Sequence, residues 1–435
     1  MAETETDAAD KFDASAEKHD KGMLGLWRRY RRLPRNVVTI GLISLLNDAS
    51  SEIIYPLMPL FLTLILGASP KVIGIIEGTA ESLSSFLKLF AGYFSDRRGS
   101  RKGFVVFGYA VANFVRPLLA FATSWYQVLA IRLTDRVGKG VRTAPRDALI
   151  ADAVRPEERG IAFGFHRAMD HAGAMIGPLI GFLFIYFFAA DRNHLTSHDY
   201  TKIFLLASVP ALAAVIVAGV FLREKKREER VESEALRKPR LSFGGFDSNF
   251  KRFLVIVALF TLSNSSDAFL IKRASDAGVS VLSIPLLWAA LHASKVLSSL
   301  IGGDLSDRMG RKTLIAAGWL LYAAVYAGFA FVSTAGEAWI LFLIYGIYFG
   351  LAEGTEKALV ADLVRPEQRG TAFGLYNLAF SVTVLPASLL MGFVWDWRGP
   401  TFAFILSAVL GASAALSLLM LVRTRERTQT IISRS

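Results

Sequence analysis

The chain alternates long apolar stretches with short polar turns. A helix needs about 20 apolar residues to span a bilayer. Stretches of that order recur at 37–66, 71–94, 103–123, 125–151, 161–188, 202–222, 251–271, 282–303, 313–333, 337–361, 371–395 and 400–422. The longer ones leave room for tilt. The longest polar interruption, dense in Lys, Arg and Glu, falls between the sixth and the seventh. The pattern predicts an all-α membrane protein of 12 transmembrane helices in two six-helix bundles. It divides the chain into an N-terminal segment 1–36, a first bundle 37–222, a linker 223–250, a second bundle 251–422 and a tail 423–435. Residues 1–36 show no apolar core beside a cleavage site, so no removable signal peptide is expected. Gly22 to Arg35 interleaves Arg with Leu and Trp and reads as a segment resting on anionic headgroups.

Composition sharpens the picture. Hydrophobic residues make up 53% and charged residues only 20% of 435, which argues against a soluble enzyme, a disordered scaffold and a secreted disulfide framework. There is no cysteine, so thiolate catalysis, Cys-ligated zinc and disulfides are excluded. The net charge of +12 comes from Lys and Arg gathered in the N-terminal segment, alternate loops, linker and tail. That placement predicts a multi-pass protein of the inner (plasma) membrane with both termini cytoplasmic, and makes the lipid bilayer, not nucleic acid, the basic residues' partner.

The two halves repeat each other. Residues 151–164 and 361–374 differ only at Ala153/Leu363, Glu158/Gln368 and Ile161/Thr371. Gly92, Ser95, Asp96, Arg97 and Gly99 have counterparts 211 residues on in Gly303, Ser306, Asp307, Arg308 and Gly310. Repeated halves of six helices, both starting on the same side, are the parallel-repeat plan of a transporter.

These residues carry a family resemblance. The Gly92–Lys102 loop, with its copy at Gly303–Lys312, resembles the loop signature of the major facilitator superfamily. Arg136-Val-Gly-Lys-Gly140 resembles the superfamily's fourth-helix motif. Gly173, Gly177, Pro178 and Gly181 resemble the fifth-helix motif of its antiporters, except that Phe182 stands where that motif has a further Gly. The resemblance implies two pseudo-symmetric bundles that alternate access, and a drug/proton-antiporter-like member. Physically, Arg97 or Arg101 is placed to pair with Asp152, and Asp96 to accept from a helix N-terminus; Arg308 and Arg311 with Asp307 and Asp362 form the second copy of this gate. Gly173, Gly177 and Gly181 form a smooth ridge for close helix approach, with Pro178 bending the helix.

Ionisable side chains within apolar stretches are costly and mark function by default. Asp48 lies roughly 16 Å into its helix at 1.5 Å per residue, with Glu52 one turn on. Glu77, Glu81 and Lys88 share one stripe, as do Arg132, Arg136, Lys139 and Arg146, with Asp135 alongside. Arg116 precedes Pro117, and His166, Arg167, Asp170 and His171 open the fifth helix. These stripes are expected to face the interior, with Asp48 or Glu52 opposed by Arg136 as a proton-coupling pair and Glu77 and Glu81 as further candidates; a static ion-pair network is the competing reading. Trp288, Tyr322, Tyr326, Tyr345, Tyr348 and Tyr376 are expected to shape the substrate surface. Arg146 and Asp147 align through the repeat with Glu356 and Lys357, which suggests salt bridges between the bundles in one access state. His166 with Asp170 supplies too few ligands for a metal, so neither metal nor cofactor is expected.

No hydrolase triad or phosphate-binding loop stands out, so the chain is not expected to be an enzyme. The expectation is a monomeric secondary transporter exporting a small-molecule substrate in exchange for protons. Two alternatives remain: a proton symporter importing an anionic metabolite or siderophore clamped by Arg116, Arg132, Arg136 and Lys88, and a non-transporting sensor or lipid-handling protein.

Overall fold

The computed structural model describes residues 33–98, 101–155, 158–223, 245–365 and 368–423. Twelve helical passes follow in order: α1 (Arg35–Ile65), α2 (Pro70–Arg98), α3 (Lys102–Phe121), α4 (Trp125–Ala153), α5 (Arg159–Phe188), α6 (Ser197–Phe221), α7 (Ser248–Asp276), α8 (Ile284–Met309), α9 (Arg311–Phe331), α10 (Ala335–Asp362), α11 (Arg369–Arg398) and α12 (Pro400–Leu421). Among the described residues nine are long and apolar enough to cross a membrane; α2, α4 and α8 are not among them. Helices α2 and α4 carry charges every turn or so, and the fold must turn those charges away from lipid. The expected N-terminal segment up to residue 32, the linker from 224 to 244 and the tail from 424 lie outside the described residues.

Local sequence explains two irregular passes. In α1 the α-helix ends at Ile54, and Tyr55–Leu57 and Phe61–Ile65 continue as a tighter and a wider turn. Pro56 and Pro59 cannot donate to the helical ladder, so regular hydrogen bonding fails there. The polar run Ser263 to Asp267 breaks α7 into Ser248–Ser263 and Ala268–Asp276. By contrast α5 runs without a break through Pro178.

The helices group as two bundles of six, α1–α6 and α7–α12. In each half an Asn at the start of the first helix clamps the backbone leaving the sixth. Asn36 donates to Arg223 O (2.6 Å) and accepts from Arg223 N (3.1 Å); Asn249 repeats this with Arg423 at 2.6 and 2.8 Å. The cores differ. The second half is filled with stacked rings, including Phe260 on Trp319 with centroids 4.3 Å apart and Tyr322 on Tyr326 at 4.2 Å. The first half is tied by ion pairs.

Glycines set the close approaches. A Cβ on Gly173 would meet Leu45 O and lie 3.0 Å from Asp48 Cβ, and one on Gly177 would collide with Ala49 O and lie 3.0 Å from Glu52 Cβ. Backbone of α5 therefore lies directly on α1. Gly181 is different, since a Cβ there would only touch Ile53 O at 3.7 Å. The ridge thus consists of two glycines rather than the three its four-residue spacing suggested, because α1 loses regular winding just beyond Ile53.

The two halves meet over the end of the molecule away from the Arg101 and Arg311 loops. Gly74 and Gly78 of α2 abut Ser388 and Leu385 of α11, and Gly392 abuts Pro70 and Lys71. Ser69 Oγ donates to Asp396 (2.7 Å), Ser82 Oγ to Ser381 O (3.0 Å) and Trp288 Nε1 to Glu52 (2.7 Å). Among the described residues, the hydrogen bonds that join the halves run from mid-bundle to this end, and none lies at the Arg101–Arg311 end.

Candidate functional site: a charged cavity between the halves

A cavity of about 910 Å³ lies where the halves face each other, lined by α1, α2, α3, α4, α5, α7, α8, α10 and α11. The charged stripes of the sequence converge on it. Asp48, Glu52, Glu77, Glu81, Lys88, Arg116, Arg132, Asp135, Arg136, Lys139, Arg146, Asp147, Asp170, His171 and Lys357 all line it, together with Glu353. His166 does not; it is buried behind the wall, 2.8 Å from Ser44 Oγ and 3.6 Å from Asp170.

Helix 4 reaches the cavity because of its own motif. A Cβ on Gly138 would strike Gly108 O and Ala112 of α3, and one on Gly140 would strike Leu87 and Ser84 of α2. With a bare backbone on both flanks, α4 wedges between α2 and α3 and its cations turn toward the remaining open side.

Some cations are fully committed. Arg116 Nε and Nη2 donate to Asp135 at 3.1 and 2.9 Å, Nη1 to Ser50, Asn113 and Asn47 O, and Nη2 also to Asn47 Oδ1. It is a buried knot joining α1, α3 and α4, and has no N–H left to clamp a solute. Arg132 Nη2 donates to both oxygens of Glu77 at 2.8 Å. Of the four cations expected to clamp an anion, Arg116 and Arg132 are thereby taken up by partners of their own.

Others are not. Arg136 and Lys139 each stand 3.8 Å from the same Glu81 carboxylate, beyond hydrogen-bond length. Lys88 forms no ion pair among the described residues. Arg142 lies flat over the Tyr109 ring at 4.3 Å, is 6% exposed, and leaves Nε and Nη1 without an acceptor.

The expected opposition of Asp48 or Glu52 by Arg136 takes another form. Arg136 is drawn to Glu81, which shares its α2–α4 seam. Glu52 instead accepts the Trp288 indole N–H from the other half, and Asp48 accepts from its neighbour Asn47 at 2.8 Å. Asp170 on α5 leaves Oδ1 without a hydrogen-bond donor. Neither Asp48 nor Asp170 has a Lys or Arg partner among the described residues.

The expected Arg146–Glu356 bridge between bundles is absent here. Arg146 pairs with its neighbour Asp147 at 2.9 Å. Glu356 is buried inside its own half, taking the Trp319 N–H (2.8 Å) and the Tyr376 O–H (2.6 Å), while Lys357 faces Glu353 at 3.9 Å. The repeat aligns these positions in sequence, but helix rotation points Glu356 into the aromatic core. Likewise Trp288, Tyr345 and Tyr376 line the cavity, whereas Tyr322 and Tyr326 are wholly buried and Tyr348 is not part of the lining. Those last three build the second core instead of a solute surface.

At the Arg101–Arg311 end, Arg101 pairs with Asp152 and, one repeat later, Arg311 pairs with Asp362. Gly92, Asp96 and Arg97 belong to α2, and Gly303, Asp307 and Arg308 to α8, but their side chains lie outside the described residues, as does Gly99.

Three lining residues went unmarked in sequence. Arg142 sits three residues after Lys139 and four before Arg146, so helical spacing already put it on their face. Asp267, at the α7 break, accepts from Tyr345 OH (2.8 Å) and lies 3.6 Å from Lys295; the polar run around it was the available signal. His292 lines the cavity with both ring nitrogens unpartnered, and nothing in sequence singles it out. Among the described residues no cluster of metal-ligating side chains occurs.

Known proteins place this architecture. The family model of the Major Facilitator Superfamily matches residues 40–383 and 278–434. An uncharacterized MFS-type transporter of Methanocaldococcus jannaschii is 35% identical over 90% of this chain and 96% of its own length. The multidrug resistance protein MdtH of Shigella flexneri is 35% identical over a shorter part, 26% of this chain and 30% of MdtH. Among solved structures, the nucleoside transporter NupG aligns at a TM-score of 0.75 with 12% identity over 89% of this chain and all of its own. A bacterial homolog of the human lysosomal transporter Spinster, inward-facing and occupied, aligns at 0.69 with 16% identity over 89% of this chain and 96% of its own. Identities this low speak to the fold alone. The family model and the 35%-identical relative, together with the doubled six-helix plan, show that this chain belongs to the Major Facilitator Superfamily of membrane transporters.

Proposed function

We propose that the chain is a secondary active transporter that exchanges protons for a small organic solute and exports it across the inner membrane. The observation that carries this is the cavity itself, open between two rocking bodies and holding both kinds of group such exchange needs. Asp48 and Asp170 line it with no Lys or Arg ion pair among the described residues, carboxyl groups suited to carry a proton, while the α2–α4 wall offers charge to a solute. The two Arg–Asp pairs, repeated through the halves, support a moving gate over a degenerate sensor. The partial likeness to MdtH supports export. With the basic loops assigned to the cytoplasm, the structure corresponds to the inward-facing state, sealed at the far end by α2–α11 contacts.

The test uses full-length protein in liposomes carrying a pH-sensitive dye and an imposed proton gradient. Addition of solutes from a panel of metabolites and drugs is expected to collapse the gradient in the sense of exchange, and Asp48→Asn or Asp170→Asn to abolish that response. Proton and solute moving together would replace exchange with symport. Undiminished proton-coupled flux in both variants would overturn the assignment of the coupling groups.

A further inference from the structure

We infer that the α2–α4 wall is a binding site for a multiply charged small anion, with Arg136, Lys139, Arg142 and Lys88 as its ligands and Glu81 as the group that holds the site when empty. This deepens the transport reading in one respect only: it takes the central cavity as the place where cargo sits.

The argument is one of unmatched charge. Arg116, Arg132 and Arg146 each own a carboxylate within 3 Å. Among the described residues, the four remaining cations of the α2–α4 wall have one ion-pair carboxylate between them. Glu81 stands 3.8 Å from both Arg136 and Lys139, too far for a hydrogen bond, so it neutralises two groups loosely and binds neither firmly. Among the described residues Arg142 makes no ion pair with a carboxylate. Its guanidinium is nearly buried, stacked on Tyr109, with two N–H positions unused. Leaving a buried cation this poorly matched is strongly unfavourable, and a protein keeps such an arrangement where something else completes it.

What completes it is constrained by chemistry. A planar guanidinium presents parallel N–H donors that fit a carboxylate or a phosphate two-handed, while ammonium groups act as point charges. Two Arg and two Lys around one Glu suit an oxyanion carrying more than one negative charge. The cavity volume falls in the range that encloses a small organic molecule, and Trp288, Tyr376 and Phe380 line its other side. The cargo class is therefore a phosphate ester or polycarboxylate with an organic body.

Binding to the full-length protein in detergent is measured by thermal shift and by calorimetry, with citrate, phenyl phosphate and tetraphenylphosphonium as probes at fixed ionic strength. Citrate or phenyl phosphate is expected to bind saturably, and which of the two binds tells polycarboxylate from phosphate. Arg142→Gln and Lys139→Gln are each expected to weaken binding at least tenfold. Glu81→Gln removes the competing carboxylate and is expected to tighten binding severalfold, a gain that misfolding cannot produce. Binding of tetraphenylphosphonium alone, unchanged affinity in Arg142→Gln, or unchanged or weaker affinity in Glu81→Gln overturns the assignment. Anion binding with this mutational pattern but without solute-driven proton movement would leave the site standing and remove proton exchange. Proton-coupled flux of cations without anion binding would do the reverse.

Discussion

Trp288→Phe tests whether the seal between the halves is energetic or incidental. The indole N–H of Trp288 donates to Glu52 across the interface at 2.7 Å, and the ring packs on Tyr55 with centroids 5.1 Å apart. Phenylalanine keeps most of the ring packing and deletes the donor. Glu52 is half-buried at the cavity wall, so leaving it without this donor costs about 1 kcal/mol, the low end of the penalty for a buried group. Because α1 and α8 belong to different bodies, that cost falls on the state in which they touch, so the ratio of the two access states should shift by roughly fivefold. The chain has no cysteine, which permits spin labels at Arg155→Cys and Arg365→Cys alone, on exposed loops after α4 and α10. Pulsed electron resonance distances between them are expected to gain a shorter population in Trp288→Phe as the Arg101–Arg311 end closes. Coincident distance distributions in parent and variant would refute the idea that this bond biases the equilibrium.

Three further outcomes follow from the packing. Gly177→Ala should lower stability by about 1–3 kcal/mol through overpacking against Ala49 and Glu52, whereas Gly181→Ala should stay within about 0.5 kcal/mol; thermal unfolding in one detergent compares them. Arg116→Ala strands the buried Asp135 and should cost about 3–5 kcal/mol, and adding Asp135→Ala should recover part of that loss in a double-mutant cycle. Exchanging Arg146 and Glu356 should not restore the stability lost in the single variants, because each is held by partners of its own half; a rescued melting temperature would bring back a bridge between bundles.

The architecture was legible because the bilayer leaves few options: helices must be long, apolar and closed upon themselves. All twelve passes lie where hydropathy put them, with ends displaced by a few residues where helices such as α2 and α11 extend past the apolar core. Charged residues in α1, α2 and α4 were legible as cavity residues for the same reason. Their partners were not. Whether Arg136 meets Glu52 or Glu81 depends on helix rotation and depth, which Gly138 and Gly140 set by contact with α3 and α2. Glu356 shows the limit from the other side: its sequence neighbourhood matches Arg146, yet two aromatic donors in its own half hold it away from the interface. Tyr322 and Tyr326 read like solute-facing aromatics, and only the packing of α9 on α12 shows them to be core.

The seating of α5 on α1 through Gly173 and Gly177 has a consequence for timing. Backbone touching backbone leaves no soft side chains to yield, so Asp48, Glu52 and Asp170 travel as one rigid cassette, keeping their mutual spacing throughout the cycle. What changes around them is the facing wall, where Trp288 and Lys295 ride on the other body. What these three carboxylates meet during the stroke is then set from outside the cassette, by whichever neighbours come near or are carried off.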